Sequence, residues 1–325
     1  MKTSSGLAVI AVTAVVGLAS AAAAAKTYII GTSAQGSIAF SAGTAISKVT
    51  DSVAGLVVRA RATGGSSTVV PQIDRGQIDF GLSNALETTQ GYLGTGMFKG
   101  KPQKNLRVVA AIFPLMTGYA VAGDSKIRAL KDSKGMRIPS EFTAQTTFIE
   151  VTKTVLASAG LTPADFSGIP TSNYIKGGEM LAQGKVDMAL VAPGSGASRE
   201  LDAELKNHGG LRFVSLGDDL AGMRKVFPEA YPITLPASKT IPGLDKGATI
   251  VAYPFYLISS THTPDDVIYK VVKVIHDNKD ALAATFGSFK ALDVKDMARA
   301  HSAVPFHAGA AKYYKEVGIW QNGKM

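Results

Sequence analysis

A short pattern of residues occurs twice in this chain and restricts what the chain can fold into. Residues 72–82 read Gln-Ile-Asp-Arg-Gly-Gln-Ile-Asp-Phe-Gly-Leu, and residues 180–190 read Met-Leu-Ala-Gln-Gly-Lys-Val-Asp-Met-Ala-Leu. Each copy predicts the end of a helix, a left-handed turn at Gly76 or Gly184, and a buried strand that begins near the following aspartate. Two copies of one helix-turn-strand unit favour two lobes of similar architecture.

The rest of the pattern supports the same division. Strands and helices alternate from residue 27 to about 280, which indicates an α/β protein with largely parallel sheets. A strand, a polar loop and a helix over 28–50 have a counterpart over 136–158. Because both similarities occur in the same order in each half, we predict duplicated architecture with one core in each lobe.

The N-terminus predicts export. Lys2 is followed by an apolar run over 6–18 and then by a tract of small residues that ends at Ala25. This order is typical of a secretory signal peptide, and the run is shorter than the about 20 residues that a membrane span needs. We therefore expect residues 1–25 to be a signal peptide and the mature chain to reside in the periplasm. The absence of cysteine suits an oxidising compartment.

The formal net charge of +9 is compatible with three kinds of partner: nucleic acid, an anionic membrane surface or an acidic ligand. The basic residues are dispersed, and no aromatic residues are interleaved with them as in a nucleic-acid-binding module. We therefore predict no nucleic-acid partner. The charge is interpreted as a solvated surface, with a weak field that steers anions as the alternative.

The loops that follow the strands predict a ligand crevice, because open parallel sheets bind ligands beyond the carboxyl ends of their strands. These loops are rich in small and hydroxylic residues, and each precedes a helix. They are residues 31–37, 63–66 and 83–84 in the first half, and 139–147, 172–174 and 192–194 in the second. Helix N-termini offer free backbone N–H groups and a positive dipole end. We expect an anion there, above all a carboxylate.

The candidate ligand-binding residues are small and polar side chains of these loops, with two phenylalanines beside them. They are Ser33, Gln35, Gly36, Ser37, Phe40, Ser83, Asn84, Phe142, Thr143, Gln145, Thr146, Pro193 and Gly194. Hydroxyl and amide groups beside a helix N-terminus complement a carboxylate. The alternative is that the polar residues only cap helices or close turns and that Phe40 belongs to the core. Asn173 and Tyr174 are weaker candidates.

Three arginines are considered as a bidentate clamp for a carboxylate: Arg59, Arg61 and Arg199. A solvated arginine on the surface is the alternative for each of them. The sequence leaves both interpretations open.

The sequence matches no motif for a catalytic, metal or cofactor site. The five histidines never take a metal-binding spacing, and without cysteine a zinc site has few ligands left. Residues 193–196 lack the spacing of a GxSxG nucleophile elbow, and residues 178–186 have Val186 where a P-loop needs Ser or Thr. We therefore predict no catalytic residue, no metal and no cofactor. An exported enzyme that acts on a small organic acid stays as an alternative, because carboxylates distant in sequence can meet in a fold.

Short motifs spread from residue 28 to about 318 resemble one known family. They are Gly31-Thr32, Ala62-Thr63-Gly64-Gly65-Ser66, Gly76-Gln77-Ile78-Asp79, Gly160-Leu161-Thr162-Pro163, Gly184-Lys185-Val186-Asp187, Ala192-Pro193-Gly194, Pro264-Asp265-Asp266-Val267-Ile268-Tyr269 and Pro305-Phe306-His307-Ala308-Gly309-Ala310. Each motif alone is weak, but their order covers nearly the whole chain. The chain resembles the TAXI-type extracytoplasmic receptors of tripartite ATP-independent periplasmic (TRAP) transporters.

This resemblance implies two Rossmann-like lobes joined by crossing hinge strands, as in type II periplasmic binding proteins. It places residues 26–115 and 264–325 in lobe 1 and residues 116–263 in lobe 2, with crossings near 114–117 and 260–263. It also implies closure on a ligand by hinge motion and docking onto the membrane subunits of a TRAP permease. Members of the family bind amino acids such as glutamate and other organic acids. We expect a monomer without a cofactor.

Two loops depart from the family's pattern. In the first loop the family shows two aromatic residues after Gly-Gly, whereas this chain has Ala39 where a tyrosine is expected. In the second lobe a glycine-rich loop is replaced by residues 139–145, which include Phe142. We interpret these changes as favouring a small and more apolar carboxylate. A glutamate-like ligand remains the alternative, as does a receptor that serves a sensor or an ATP-driven importer.

Overall fold

The computed structural model describes residues 26–299 and 303–320. The predicted signal peptide, residues 1–25, lies outside the described residues. Within the described parts of the chain, no helix has the length and apolar character needed to cross a membrane.

The described chain alternates strands and helices, with short 3₁₀ turns between some of them. The strands are β1 (Tyr28–Thr32), β2 (Val58–Ala62), β3 (Phe80–Asn84), β4 (Leu106–Ala111), β5 (Leu115–Ala122), β6 (Arg137–Ser140), β7 (Ser167–Pro170), β8 (Ala189–Val191), β9 (Leu211–Phe213), β10 (Tyr231–Leu235), β11 (Ala248–Tyr253) and β12 (Phe255–Ser260). The helices are α1 (Ile38–Ala54), α2 (Ser66–Asp74), α3 (Ala85–Leu93), α4 (Thr147–Ala157), α5 (Tyr174–Ala182), α6 (Gly196–Glu204), α7 (Leu220–Val226), α8 (Asp265–Asp277), α9 (Lys279–Thr285) and α10 (Ala308–Glu316).

The strands form one main sheet in each lobe. Lobe 1 has five strands in the order β2-β1-β3-β12-β4, and lobe 2 has β10-β11-β5-β8 with β9 also paired to β5. The parallel strands β6 and β7 form a separate pair in lobe 2. The predicted α/β fold with two lobes is therefore confirmed.

The two repeated aspartates have the same structural role in the two lobes. The Asp79 carboxylate accepts the backbone N–H of Ile29 at 2.9 Å, and the Asp187 carboxylate accepts that of Arg137 at 2.7 Å. Both pairs are 50 residues apart in sequence, and each joins the start of one strand, β1 or β6, to the turn that precedes a later strand, β3 or β8. Gly76 has φ +65° and Gly184 has φ +66°, so both adopt the left-handed conformation that the repeat predicts.

One strand of the lobe 1 sheet runs against its neighbours, and every strand pair in the main sheet of lobe 2 is antiparallel, which corrects the expectation of largely parallel sheets. In lobe 1, β12 is antiparallel to β3 and β4, whereas β1 is parallel to β2 and β3. In lobe 2, β5 is antiparallel to β8, β9 and β11. Strands β12 and β5 both begin at the hinge and run away from it, because each is the first strand after the chain crosses from one lobe into the other.

The hinge positions follow from this pairing. The first crossing is the segment 112–114, between β4 and β5, close to the expected 114–117. The second crossing was expected at 260–263, but β12 already pairs with β3 and β4 over 255–260. The chain therefore returns to lobe 1 at Pro254, and the expected second boundary is corrected to this residue.

The C-terminal helices complete lobe 1. Helix α8 begins with Asp265 and Asp266, so acidic groups lie at the dipole end that favours them. Its buried residues, such as Val271 and Ile275, recur at helical spacing and face the core, and α8 packs on α1 and α10. Tyr314 on α10 is buried and donates its hydroxyl to the carbonyl of Val109 in β4.

Candidate functional site

The N-termini of helices from both lobes converge on the cleft between them. Helices α1, α2 and α3 of lobe 1 and helices α4 and α5 of lobe 2 all begin at the cleft, because each of them follows a strand that ends there. Helix α6 starts beside them, and the backbone N–H of its Ala197 donates to the carbonyl of Gly36 in lobe 1 at 3.3 Å. The converging dipoles place positive potential in the cleft.

Four of these helices use a side chain to satisfy their own first turn. The side chains of Ser37, Asn84, Asn173 and Ser195 accept backbone N–H groups of α1, α3, α5 and α6 at 2.9–3.0 Å. Asn84 and Ser37 thus take the capping role that was the alternative to ligand binding. Capping and lining the cleft are compatible, since both residues also face the cavity.

The other two helices, α2 and α4, have no side-chain cap. Gly65 precedes α2 and Thr146 precedes α4, and neither provides a capping hydrogen bond. These two ends belong to different lobes and lie on either side of the cavity, where Ser66 and Thr147 line the wall. Some first-turn N–H groups are already used, because those of Thr68 in α2 and of Phe148 and Ile149 in α4 donate to backbone carbonyls. The N–H groups of Ser66, Ser67 and Thr147 are therefore the first-turn donors left for an anion in the cleft.

The cavity enclosed by the lobes is small and polar at one end. Its volume is about 40 Å³, enough for about one water molecule or a few ligand atoms. Aromatic rings of Phe148, Tyr174, Tyr253 and Phe255 form the apolar side of the wall. The remaining lining residues are Ser33, Ser37, Ile38, Ala39, Ser66, Asn84, Leu115, Thr117, Gln145, Thr147 and Ala192. No lysine, arginine or histidine is among the described residues of this wall.

Direct contacts hold the two lobes together in a closed arrangement. The Asn84 side chain donates to the Thr147 hydroxyl across the cleft at 3.3 Å, and the Ser67 and Thr146 hydroxyls are also 3.3 Å apart. A Cβ atom at Gly64 in lobe 1 would lie 2.7 Å from the carbonyl oxygen of Ala144 in lobe 2. The lobes touch so closely at this point that only glycine fits.

A buried carboxyl group lies behind the polar wall. Glu87 on α3 is 1% exposed, and its oxygens accept hydrogen bonds from the Ser67 hydroxyl at 2.7 Å and the Asn84 amide at 2.9 Å. Thr147 from lobe 2 also hydrogen-bonds to it. Burial raises the pKa of Glu87 above its ordinary value, although the hydrogen bonds from Thr147, Ser67 and Asn84 oppose that rise.

The loop that opens lobe 2 adopts an unusual backbone. Glu141 and Phe142 have φ of +62° and +41°, which costs a non-glycine residue roughly 1–3 kcal/mol. Neither residue is glycine, yet the backbone has a conformation that glycine favours. The Phe142 ring is 2% exposed and packs on Phe148, which stacks on Tyr174 with ring centroids 4.7 Å apart. The aromatic packing therefore holds the strained loop in place.

The predicted site residues take four kinds of position. Ser33, Ser37, Asn84 and Gln145 line the cavity. Gly36 and Thr146 contact the opposite lobe. Ser83 and Phe142 are buried outside the lining. The remaining predicted residues do not line the cavity: Phe40 lies in the first turn of α1, and the others, Gln35, Thr143, Pro193 and Gly194, lie on the surrounding loops.

Several lining residues were not predicted. Ser66 and Thr147 are the first residues of α2 and α4, and they are the last residues of two predicted crevice loops, 63–66 and 139–147, although they were not among the candidate binding residues. Thr117, Tyr253 and Phe255 come from the hinge strands, which the sequence does not place at the cleft. Glu87 carries no local signal, because its position depends on how the lobes pack.

None of the three candidate arginines lines the cavity. Arg59 forms an exposed ion pair with Asp51 at 3.0 Å, and Arg61 donates to the exposed side chain of Gln72. Arg199 donates to the carbonyl of Gly194 at the start of α6. In this closed arrangement an anion in the cavity would be held by backbone N–H groups and hydroxyl groups without a guanidinium clamp.

A larger cavity of about 360 Å³ lies at the hinge. Its wall combines residues 111–114 and 254–255 with Tyr231, Ala291 and the charged residues Glu229, Asp293, Asp296 and Arg299. The side chains of Arg299 and Asp296 pair with each other at 2.9 Å, which leaves an excess of acidic groups. No helix N-terminus described above contributes to this wall. The inter-lobe cleft is therefore the better candidate for an anion site.

Comparison with known structures identifies the class of fold. Two α/β lobes that face each other across a cleft, with helix N-termini directed into it, are the arrangement of periplasmic binding proteins. A periplasmic transporter structure aligns with a TM-score of 0.55 at 16% identity, covering 91% of this chain and 94% of that chain. The binding component of an ABC phosphonate transporter from Pseudomonas aeruginosa aligns with a TM-score of 0.53 at 12% identity, covering 82% and 79%. A methylphosphonate-bound protein from Prochlorococcus marinus gives 0.54 at 13%, covering 90% and 99%.

Comparison of the sequence with family models identifies the family. A model of the NMT1-like family matches residues 30–318, and the chain belongs to that family. The match includes all the strands and helices of both lobes except the first two residues of β1.

Proposed function

We propose that this protein is a periplasmic solute receptor that binds a small organic acid in the cleft between its lobes and delivers it to a membrane permease. The observation that carries the proposal is the pair of helix N-termini without a side-chain cap, α2 and α4, on opposite sides of a small inter-lobe cavity that has hydroxyl and amide groups at one end. Their N–H groups suit an anion, and a carboxylate is the anion we favour.

The cavity also supports a mechanism of capture. A volume of about 40 Å³ enclosed by both lobes admits a ligand only when the lobes separate. Opening would break the contacts of Thr146 and Thr147 with lobe 1, and the ligand would replace part of them on closure. The bound state is then recognised by its closed shape, which is how a permease can distinguish a loaded receptor from an empty one.

We propose a TRAP permease as the partner on the basis of the sequence motifs quoted above, together with the match to the NMT1-like family. The similar structures include a component of an ABC transporter, so an ATP-driven importer is the competing partner. The genes that flank this one discriminate between the two, because the TRAP hypothesis requires a multi-span permease gene of that type nearby. An amino-acid ligand and an exported enzyme are the competing functions at the same cleft.

Thermal-shift screening against organic acids, sulfonates, phosphonates and amino acids tests the proposed ligand class. We expect carboxylates to raise the melting temperature in a concentration-dependent way, since ligand bound only to the folded state stabilises it. Native mass spectrometry of the purified protein would identify a retained ligand. A rise with phosphonates or sulfonates but with no carboxylate would overturn the carboxylate assignment. Conversion of the bound acid during prolonged incubation would support the enzyme instead.

A further inference from the structure

One residue separates the small inter-lobe cavity from the larger cavity at the hinge. Among the described residues, Phe255 alone belongs to the walls of both cavities. It is the first residue of β12 and directly follows Pro254, where the chain returns to lobe 1. In the sheet it is the partner of Asn84, which lines the inter-lobe cavity, and its carbonyl accepts the N–H of Ile112, which lines the hinge cavity. Phe255 therefore lies between the two spaces.

An aromatic cluster holds the ring of Phe255 in this position. The ring packs against that of Phe113, with centroids 5.9 Å apart, and Phe113 lines the hinge cavity. Phe113 in turn makes edge contacts with Phe289 at 5.1 Å and with Phe286 at 6.4 Å. Phe255 itself is 2% exposed. Because a rotation of its ring would disturb the whole cluster, the ring acts as a fixed partition between the cavities.

The inter-lobe cavity has a polar end and an apolar side. At the polar end lie Ser66 and Thr147, the first residues of α2 and α4, whose backbone N–H groups are available to an anion. The apolar side includes the rings of Phe148 and Phe255. An acid bound with its carboxylate at the helix N-termini would place its chain against these rings. The volume of about 40 Å³ leaves room for only a few atoms of such a chain.

The closed arrangement leaves little freedom to enlarge this cavity. Asn84 and Thr147 are hydrogen-bonded across the cleft at 3.3 Å, and a Cβ atom at Gly64 would lie 2.7 Å from the carbonyl oxygen of Ala144 in the other lobe. A longer acid would have to displace the ring of Phe255 or hold the lobes apart. Either change costs free energy, because the first overpacks a buried cluster and the second breaks hydrogen bonds between the lobes.

We propose that Phe255 is a specificity-determining residue that limits the length of the ligand: it closes the inter-lobe cavity on the side of the hinge, so that the closed cleft retains acids with a short apolar chain. This inference rests on the proposed function and narrows its ligand class to short-chain carboxylates such as acetate and propionate. Beyond Phe255, the hinge cavity has apolar walls at Ile112, Phe113 and Pro254 that suit an alkyl chain. Removal of the Phe255 ring should join the two cavities and admit longer acids.

The test is the dependence of affinity on chain length. Isothermal titration calorimetry is run with acetate, propionate, butyrate, pentanoate and hexanoate, which share one head group and differ only in the length of the alkyl chain. The proteins are the wild type, Phe255→Ala, the milder Phe255→Leu and the control Phe80→Ala. Phe80 is a matched control, because it is buried in the same sheet, opposite Ser259 of β12, and lines neither cavity.

For the wild-type protein and Phe80→Ala we expect hexanoate to bind at least about tenfold more weakly than propionate, because the added methylene groups have no space. In Phe255→Ala the trend should reverse, and each methylene group that enters the hinge cavity should tighten binding by about fourfold. Phe255→Leu leaves part of the partition and should bind butyrate and pentanoate more tightly than the wild type does. A general loss of stability would weaken the binding of all the acids alike, so a reversed trend is specific to the partition.

Different results would overturn the two proposals. If the wild-type protein binds hexanoate as tightly as propionate or more tightly, the length limit is overturned whether or not any variant folds, while the receptor for organic acids stands. If the wild type discriminates against long chains and each folded Phe255 variant keeps the same trend, Phe255 is not the partition and the inference is equally overturned. If no carboxylate binds, the proposed ligand class is overturned, and the length limit with it.

Discussion

Replacing Gly64 by alanine should hold the cleft partly open without unfolding either lobe. In the closed arrangement the new Cβ would lie 2.7 Å from the carbonyl oxygen of Ala144, which belongs to the other lobe. It would also lie 2.6 Å from the Thr68 hydroxyl in the same lobe, where a side-chain rotation can relieve the contact. The carbonyl is backbone and cannot rotate away, so the lobes must move apart.

The magnitude follows from the cost of overpacking. An added methyl group in a well-packed contact costs about 1–3 kcal/mol, which corresponds to roughly 5-fold to 150-fold weaker ligand binding if the full cost falls on closure. The stability of the unliganded protein should change far less, because the open state relieves the contact with Ala144. This contrast between binding and stability distinguishes a closure defect from a folding defect.

The assay compares the variant with two references. Gly64→Ala is made in a Thr68→Ala background, which removes the contact within lobe 1, and Thr68→Ala alone is the first reference. Gly287→Ala is the second, since a Cβ at that position meets no atom within 4 Å. Calorimetry gives the affinity for the acid identified by screening. Because the chain has no cysteine, Ser52→Cys and Lys206→Cys allow fluorescent labels on the two lobes to report closure directly.

We expect the Gly64 variant to bind more weakly and to show a smaller ligand-induced change in inter-label distance than both references. Equal affinity and an equal distance change in all three proteins would refute the argument that Gly64 is needed for lobe contact. A lowered melting temperature in the absence of ligand would show that the clash lies within lobe 1.

Three further changes have definite expected outcomes. Phe148→Ala removes a buried ring that stacks on a tyrosine in the cavity wall, and should lower the free energy of unfolding by about 3–5 kcal/mol in urea titrations. A loss below about 1 kcal/mol would mean that this wall is not packed as described. Thr147→Val removes a hydroxyl group that bridges the lobes and should weaken ligand binding by about 5-fold to 30-fold, whereas Thr89→Val, whose buried hydroxyl group has no partner, should not. Burial raises the pKa of Asp277, but hydrogen bonds from its lysine, histidine and tyrosine neighbours lower it to about 2, below the ordinary 3.8. Its contribution to stability is therefore complete above about pH 4 and is lost as pH falls towards 2, so Asp277→Asn should flatten this part of an acid-unfolding curve; identical curves would contradict the assignment.

The duplicated architecture could be predicted from sequence because its signals are local. In each copy, a glycine in the left-handed conformation and an aspartate three residues later define one turn and the start of one strand, and these signals do not depend on distant parts of the chain. The hinge could not be placed as well. The apolar sequence of β12 is compatible with a buried strand in lobe 1 or in lobe 2. Only its pairing with β3 and β4 assigns it to lobe 1.

The site was predictable in outline only. Loops at strand ends identified Ser33, Ser37, Asn84 and Gln145 near the cavity. The distinction between capped and uncapped helices depends on individual hydrogen bonds, which residue types alone do not decide, since Thr146 is a common capping residue that makes no cap here. Glu87 was not identified from the sequence because its burial depends on partners distant in sequence, such as Ser67 and Thr147.

The antiparallel strands at the hinge have a mechanical consequence. Strand β12 is held by β3 on one side and β4 on the other, and β5 is held in the same way within lobe 2. Each crossing strand is thus clamped in the middle of a sheet, so bending is confined to the segment 112–114 and Pro254. Proline has a fixed φ and gives the second link little freedom. We therefore expect the two linking segments to differ in flexibility. Together they should restrict the lobes to an opening rotation and limit sliding or twisting of one lobe against the other.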